Sequence, residues 1–193
     1  MLKMAVLISG SGRTLDNFHE LIVAGNLQAK IEVVISNVPG VLGLEKAQKY
    51  GYPAFQESDN DKINDIIAQY AVDIVCLAGY LKLYTPTPNL QRRVINIHPS
   101  LIPSFCGDGY YGHHVHDNVK KRGCTVTGCT VHFANENYDE GPIILQRAVD
   151  IEYEDDVDTI AAKVFEIECQ AFPEALNRVN DKGVDFFWDR VSV

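Results

Sequence analysis

The sequence predicts a single α/β domain over residues 1–193, with a mostly parallel, doubly wound sheet and an antiparallel portion towards the C-terminus. Three observations carry this. Short apolar runs of strand length alternate with stretches of helical period through the first two thirds of the chain. Runs such as Val72 to Leu77 are apolar at nearly every position, as strands covered on both faces are. Thr125 to Phe133 and Ile143 to Ile151 are separated only by a turn-rich segment, Asn135 to Pro142, which suits a hairpin.

In chain order, Lys3 to Ile8 reads as a buried first strand. Its apolar stretch stops at Ser9-Gly10-Ser11-Gly12 without a small-residue cleavage site, so a signal peptide fits less well. Thr14 is placed to cap a helix running to about Ala24, with Leu15, Phe18, Leu21 and Ile22 on one face and Gly25 as its end. Ile31 to Ser36 is a second strand, Leu44 to Tyr50 a short helix, and Lys62 to Tyr70 another helix with Ile63, Ile66 and Ile67 on one face. Val72 to Leu77 and Val94 to His98 are strands. Ser100 to Gly109 is loop, and Tyr110 to Lys121 is helical. Asp156 to Leu176 is the clearest helix, with Val157, Ile160, Ala161, Val164, Ile167 and Phe172 in register.

Composition narrows the class. A net charge of −9 and no dense basic stripe argue against nucleic-acid binding. Lys120-Lys121-Arg122 suits a helix C-terminus instead. No apolar run is long enough to span a membrane. Five cysteines, odd in number and lacking a Cys-x-x-Cys pair, read mostly as reduced, buried residues of a cytosolic protein.

Two segments carry chemistry on their own. Ser9-Gly10-Ser11-Gly12-Arg13-Thr14 joins the first strand to the first helix. There the backbone can approach an anion, helix N–H groups point at it, and Arg13 adds a planar cation suited to phosphate. Leu15 stands where a dinucleotide fingerprint needs its third glycine, and no Gly-Lys-Ser/Thr follows, so neither common nucleotide motif fits. A tight turn without a ligand is the alternative. Asn96 and His98, two apart at a strand's C-terminal end, share one side of the sheet, where open α/β folds place ligands. The amide can donate to a developing oxyanion, and the imidazole can donate or accept a proton near neutrality. Asn137 to Pro142 reads by itself as a solvated turn. His113, His114 and His116 lack a completing ligand set and read as a wet, helix-flanking cluster rather than a metal site.

Three strings together resemble the phosphoribosylglycinamide formyltransferases: Ile95 to Pro103, Gly128 to Phe133, and Tyr138-Asp139 with Gly141 to Gln146. The first is shared with the wider folate-dependent formyltransferase superfamily. The resemblance covers nearly the whole chain and implies a Rossmann-like fold. It implies formyl transfer from 10-formyltetrahydrofolate, the co-substrate, to glycinamide ribonucleotide, with no metal. It makes Asn96, His98 and Asp139 catalytic, with Asp139 orienting His98 and favouring its imidazolium form. Gly10, Ser11, Gly12, Arg13, Thr14 and Glu168 would hold the ribonucleotide. Leu81, Lys82, Leu83, Tyr84, Glu136 and Asp139 would border the folate. Arg13-Thr14 and Leu81 to Tyr84 depart from the family's usual Ser-Asn and Met-Arg-Ile-Leu, and the loop Cys106 to His116 is longer than the common form. A formyltransferase for an amino sugar nucleotide and a formyltetrahydrofolate hydrolase are the nearest alternatives.

Overall fold

The computed structural model describes residues 1–191. One seven-stranded sheet runs through it in the order β3-β2-β1-β4-β5-β6-β7. Its strands are β1 (Leu2–Ile8), β2 (Ala29–Ser36), β3 (Ala54–Gln56), β4 (Ile74–Leu77), β5 (Val94–His98), β6 (Val126–Phe133) and β7 (Ile143–Asp150). The first five pair in parallel, and β5, β6 and β7 pair antiparallel. The predicted sheet and hairpin are therefore present.

The period of two in β1 sorts its side chains between two cores. Met4, Val6 and Ile8 pack with Leu15 and Phe18 of α1 (Arg13–Val23) and with Ile160, Val164, Phe172 and Leu176 of α5 (Val157–Lys182). Ala5 and Leu7 face the other layer, with Ile63 and Ile67 of α3 (Asn60–Ile67). Ala47 of α2 (Leu42–Lys49) and Val115 and Val119 of α4 (His113–Arg122) join the first core. Phe18 and Phe172 meet edge to face at 5.0 Å, tying α1 to α5. Among the described residues no helix is long and apolar enough to cross a membrane.

Several boundaries differ from the sequence reading, each for a local reason. Helix α1 starts at Arg13, and Thr14 is not its cap. Gly12 occupies that place at φ +71°, with no side-chain cap. A Cβ on Gly12 would lie 2.8 Å from Gly43 Cα, so the conformation and the close approach both require glycine. Helix α3 starts at Asn60 because Asp59 accepts from the N–H groups of Asp61 and Lys62. Helix α4 starts at His113 rather than Tyr110, and Lys120-Lys121-Arg122 forms its last turn as expected. Helix α5 continues through Pro173 to Lys182, six residues past the predicted end. Strand β3, the short α6 (Asp185–Trp188) and a 3₁₀ turn at Pro88–Leu90 escaped the reading; each is four residues or fewer, too short to show a period. Only Cys76 and Cys129 are buried. Cys106, Cys124 and Cys169 are half-buried, which corrects the expectation of mostly buried thiols.

The topology positions the site. Chain order reverses between β1 and β4, so the loops leaving their C-terminal ends lie side by side. Ser9 N–H donates to Gly79 O at 3.1 Å, and Leu81 N–H donates to Ser9 Oγ at 2.9 Å. A crevice at such a switch point is the expected ligand position.

Candidate active site

The crevice is a cavity of about 450 Å³. Gly10, Ser11, Gly12, Arg13, Thr14 and Glu168 line it, as do Leu81, Lys82, Leu83, Tyr84, Asn96, His98 and Asp139. Every residue that the resemblance assigns to the site therefore contributes to one cavity, with a single exception. Glu136 is exposed on the hairpin loop and is not among the lining residues, although its neighbours Asn135, Asn137 and Tyr138 are.

At the C-terminal end of β5 the polar groups converge. Asn96 pairs with His132 across the antiparallel β5–β6 ladder, and Asn96 Nδ2 lies 3.2 Å from His132 Nε2. Asp139 bridges two imidazoles: its Oδ2 is 3.4 Å from His98 Nδ1 and its Oδ1 is 3.4 Å from His132 Nε2. Gly107 N–H also donates to Asp139 Oδ2, at 2.9 Å. On the far side of each ring is a carbonyl. His98 Nε2–H donates to Phe105 O at 2.8 Å, and His132 Nδ1–H donates to Phe133 O at 2.9 Å. A carbonyl only accepts, so those two nitrogens carry hydrogens and the other two face Asp139 and Asn96. His132 Nε2 lies within reach of both Asn96 Nδ2 and Asp139 Oδ1, so Asn96 spends at most one amide hydrogen there and the second remains for the cavity.

The loop that delivers Asp139 is sterically exacting. Asp139 sits at φ +60°, a left-handed conformation rare for a residue with a Cβ. Two residues on, a Cβ at Gly141 would lie 1.8 Å from Phe133 O, so the hairpin passes β6 at a distance only glycine permits. On the other side, Thr130 and Gln146 pin the loop after His98. Thr130 Oγ1 donates to Ser100 O and accepts from Ile102 N–H, while Gln146 Nε2 donates to Ile102 O.

Burial pushes the His98 pKa down, and it outweighs the Asp139 charge and the Phe105 carbonyl, which push it up. The expectation that Asp139 favours the imidazolium holds in sign, but the net value lies below the ordinary one. For Asp139, burial acts upward. Bonding to His132, the charge of His98 and the Gly107 N–H overcome it and hold the carboxyl below its usual range. Glu168, on α5, is pushed by burial up to about 7, with Arg13 acting the other way. The Arg13 guanidinium lies 3.9 Å from the ring centroid of Phe165, one helical turn before Glu168.

Two residues were missed. His132 is fully buried between Asn96 and Asp139, yet from sequence it was only one letter of a shared string. Polar residues at 130 and 132, two apart and therefore on one face of the strand, were the available signal. His116 was read as part of a wet cluster. It is 5% exposed and lines the cavity, which corrects that reading: Val115 and Val119 anchor α4 in the core and carry His116 inwards. Among the described residues no three His, Cys, Asp or Glu side chains come together as a metal-binding group.

The sequence profile of the Formyl transferase family matches residues 2–176. The phosphoribosylglycinamide formyltransferase of Haemophilus influenzae is 38% identical over 184 residues, covering 90% of this chain and 84% of that protein. The human trifunctional purine biosynthetic protein adenosine-3 is also 38% identical, over 189 residues; these are 92% of this chain but only 18% of that much longer protein. Among solved structures, glycinamide ribonucleotide transformylase 1 from Symbiobacterium toebii aligns with a TM-score of 0.83 at 35% identity. That alignment covers 91% of this chain and 86% of the other.

Proposed function

Because this chain belongs to the formyl transferase family, we propose that it transfers the formyl group of 10-formyltetrahydrofolate to the amine of glycinamide ribonucleotide, in purine biosynthesis. The observation that carries this is one cavity holding both a phosphate-type loop and an amide–imidazole–carboxylate cluster. The first suits a phosphorylated acceptor and the second suits acyl transfer. The names of the Haemophilus influenzae and Symbiobacterium toebii proteins support the same acceptor.

In this reading the loop N–H groups at Gly12 to Thr14 and the Arg13 guanidinium take the phosphate, and Glu168 accepts from sugar hydroxyls. Leu81 and Leu83, both exposed at the cavity, offer apolar surface to the flat folate ring, with Lys82 and Tyr84 beside them.

The amine attacks the formyl carbon and a C–N bond forms. Negative charge moves onto the formyl oxygen, where the free amide hydrogen of Asn96 donates to it. Each such donor is worth roughly 3 kcal/mol in the transition state. His98 supplies positive charge when protonated. To donate directly, its Nε2–H exchanges the Phe105 carbonyl for the formyl oxygen. The attacking nitrogen loses a proton to Asp139 or an intervening water, and the folate nitrogen regains one through the same group. The C–N bond to folate then breaks, giving a formamide and tetrahydrofolate.

The test is an acceptor panel. Purified protein with 10-formyltetrahydrofolate is offered glycinamide ribonucleotide, its dephosphorylated nucleoside and an amino sugar nucleotide. The expected order of kcat/KM puts the ribonucleotide first by at least a hundredfold. A preference for the amino sugar nucleotide refutes the acceptor, and equal use of nucleoside and nucleotide refutes the phosphate loop.

A further inference from the structure

His116 enters none of the steps above, yet its surroundings are specific. It is 5% exposed and lines the cavity with His98 and His113. Its Nδ1 is closed off and has no hydrogen-bond partner among the described residues. A stranded N–H is rarer and costlier than a stranded lone pair, so Nδ1 is the bare nitrogen and the hydrogen belongs on Nε2. Protonating the ring would strand that N–H and bury a charge beside two other imidazoles. Burial first, then His113 and His98, accordingly bring the pKa down to about 4. His116 is thus neutral across the physiological range, in one tautomer.

We infer that His116 is a substrate-binding residue, whose Nε2–H is a fixed, uncharged donor to a carbonyl oxygen of the acceptor. The placement favours the acceptor over the folate. Helix α4 packs on α5, and His113 Nδ1 lies 3.7 Å from Asp158 Oδ1 in the first turn of α5. Ala161, Val164, Phe165 and Glu168 of α5 line the same cavity, and Phe165 carries Arg13. The Leu81 to Tyr84 wall comes instead from the loop after β4. A neutral donor is matched to a neutral oxygen, and a phosphate is better served by Arg13 and the loop. In glycinamide ribonucleotide the oxygen of that kind is the amide carbonyl beside the reacting amine. This assignment rests on the function proposed above.

Two readouts test it. In ¹⁵N-labelled free protein, the His116 ring should show one neutral tautomer, protonated at Nε2, from pH 8 to pH 5.5. A proton on Nδ1, or an imidazolium forming in that range, overturns the inference whatever the enzyme does. In the kinetic arm, His116→Phe fills the space without a donor and His116→Gln retains one. With wild type as reference, His116→Phe should raise the acceptor KM roughly three- to tenfold, the weight of one neutral hydrogen bond. The folate KM should stay within about twofold, and His116→Gln should recover part of the loss. An unchanged acceptor KM in a folded His116→Phe protein, or a rise in the folate KM instead, sinks it. Wild-type protein that transfers no formyl group refutes the proposed function and this carbonyl assignment with it, while the tautomer still reports on His116 alone.

Discussion

Replacing Asp139 by Asn keeps the size of the side chain and removes its charge. The carboxylate oxygens lie 3.4 Å from His98 Nδ1 and 3.4 Å from His132 Nε2, and all three side chains are largely shielded from water. Opposite unit charges at that separation attract by about 5 kcal/mol at an effective dielectric near 20. Carboxylates this close raise a neighbouring pKa by about one to three units, and each unit is worth 1.36 kcal/mol. The substitution therefore lowers a His98 pKa that burial already depresses, and the imidazolium becomes roughly ten to a thousand times scarcer near neutrality. The account predicts a fall in kcat of about a hundredfold. The alkaline limb of the kcat profile, where protonated His98 is lost, should move to lower pH by about one to three units. The acceptor KM should change little, because the charge acts on the transition state. Steady-state rates from pH 5 to pH 9 and the His98 titration by NMR measure these together. A kcat within threefold of wild type and an unmoved limb would falsify the three-residue centre.

Three further outcomes follow from the same geometry. In Gly43→Ala the new Cβ would sit 2.8 Å from Gly10 O and 2.5 Å from Ile8 Cδ1. The phosphate loop must shift, so the acceptor KM should rise at least tenfold at a stability loss of about 1–3 kcal/mol; an unchanged KM would show that the loop does not hold the acceptor. Phe165→Leu removes the face on which Arg13 rests and should raise the ribonucleotide KM about two- to fivefold, leaving the unphosphorylated nucleoside unaffected; an equal change for both counts against the assignment. In acid, His116 adds its own loss of stability to those of His98 and Asp139, because its folded pKa of about 4 lies below its ordinary 6.5. The unfolded chain binds that proton first, so stability is complete above about pH 6.5 and falls as the pH drops towards 4, by about 3 kcal/mol. Denaturant titrations at pH 7 and pH 4 should show that loss, and His116→Phe should lack it; the same pH slope in the variant refutes the buried neutral ring.

Most of the sheet was legible because its strand-length apolar runs differ in period from the helices; β3, three residues long, was not. Asn96 and His98 were legible because a strand's alternation fixes their common side. Asp139 was different: alone, its loop read as a solvated turn, and only the three strings taken together joined it to His98. Its left-handed backbone and the Gly141 passage depend on a hairpin register that no local pattern encodes. His132 stayed hidden for the same reason, since its partner Asn96 lies across a strand pair rather than along the chain. His116 was misread because a triple-histidine run looks hydrophilic, whereas Val115 and Val119 decide which face of α4 is buried. The net depression of the His98 pKa follows from burial, which no spacing rule supplies.

The central claim is direct transfer between two small molecules, and following the carbon tests it most directly. Protein is mixed with ¹³C-formyl-labelled 10-formyltetrahydrofolate and glycinamide ribonucleotide, and the label is observed by ¹³C NMR. The account predicts that the folate formyl signal is replaced, one for one, by the formamide signal of the ribonucleotide, and that no formate appears. Label released as formate, or remaining on the folate while both ligands are bound, would contradict it.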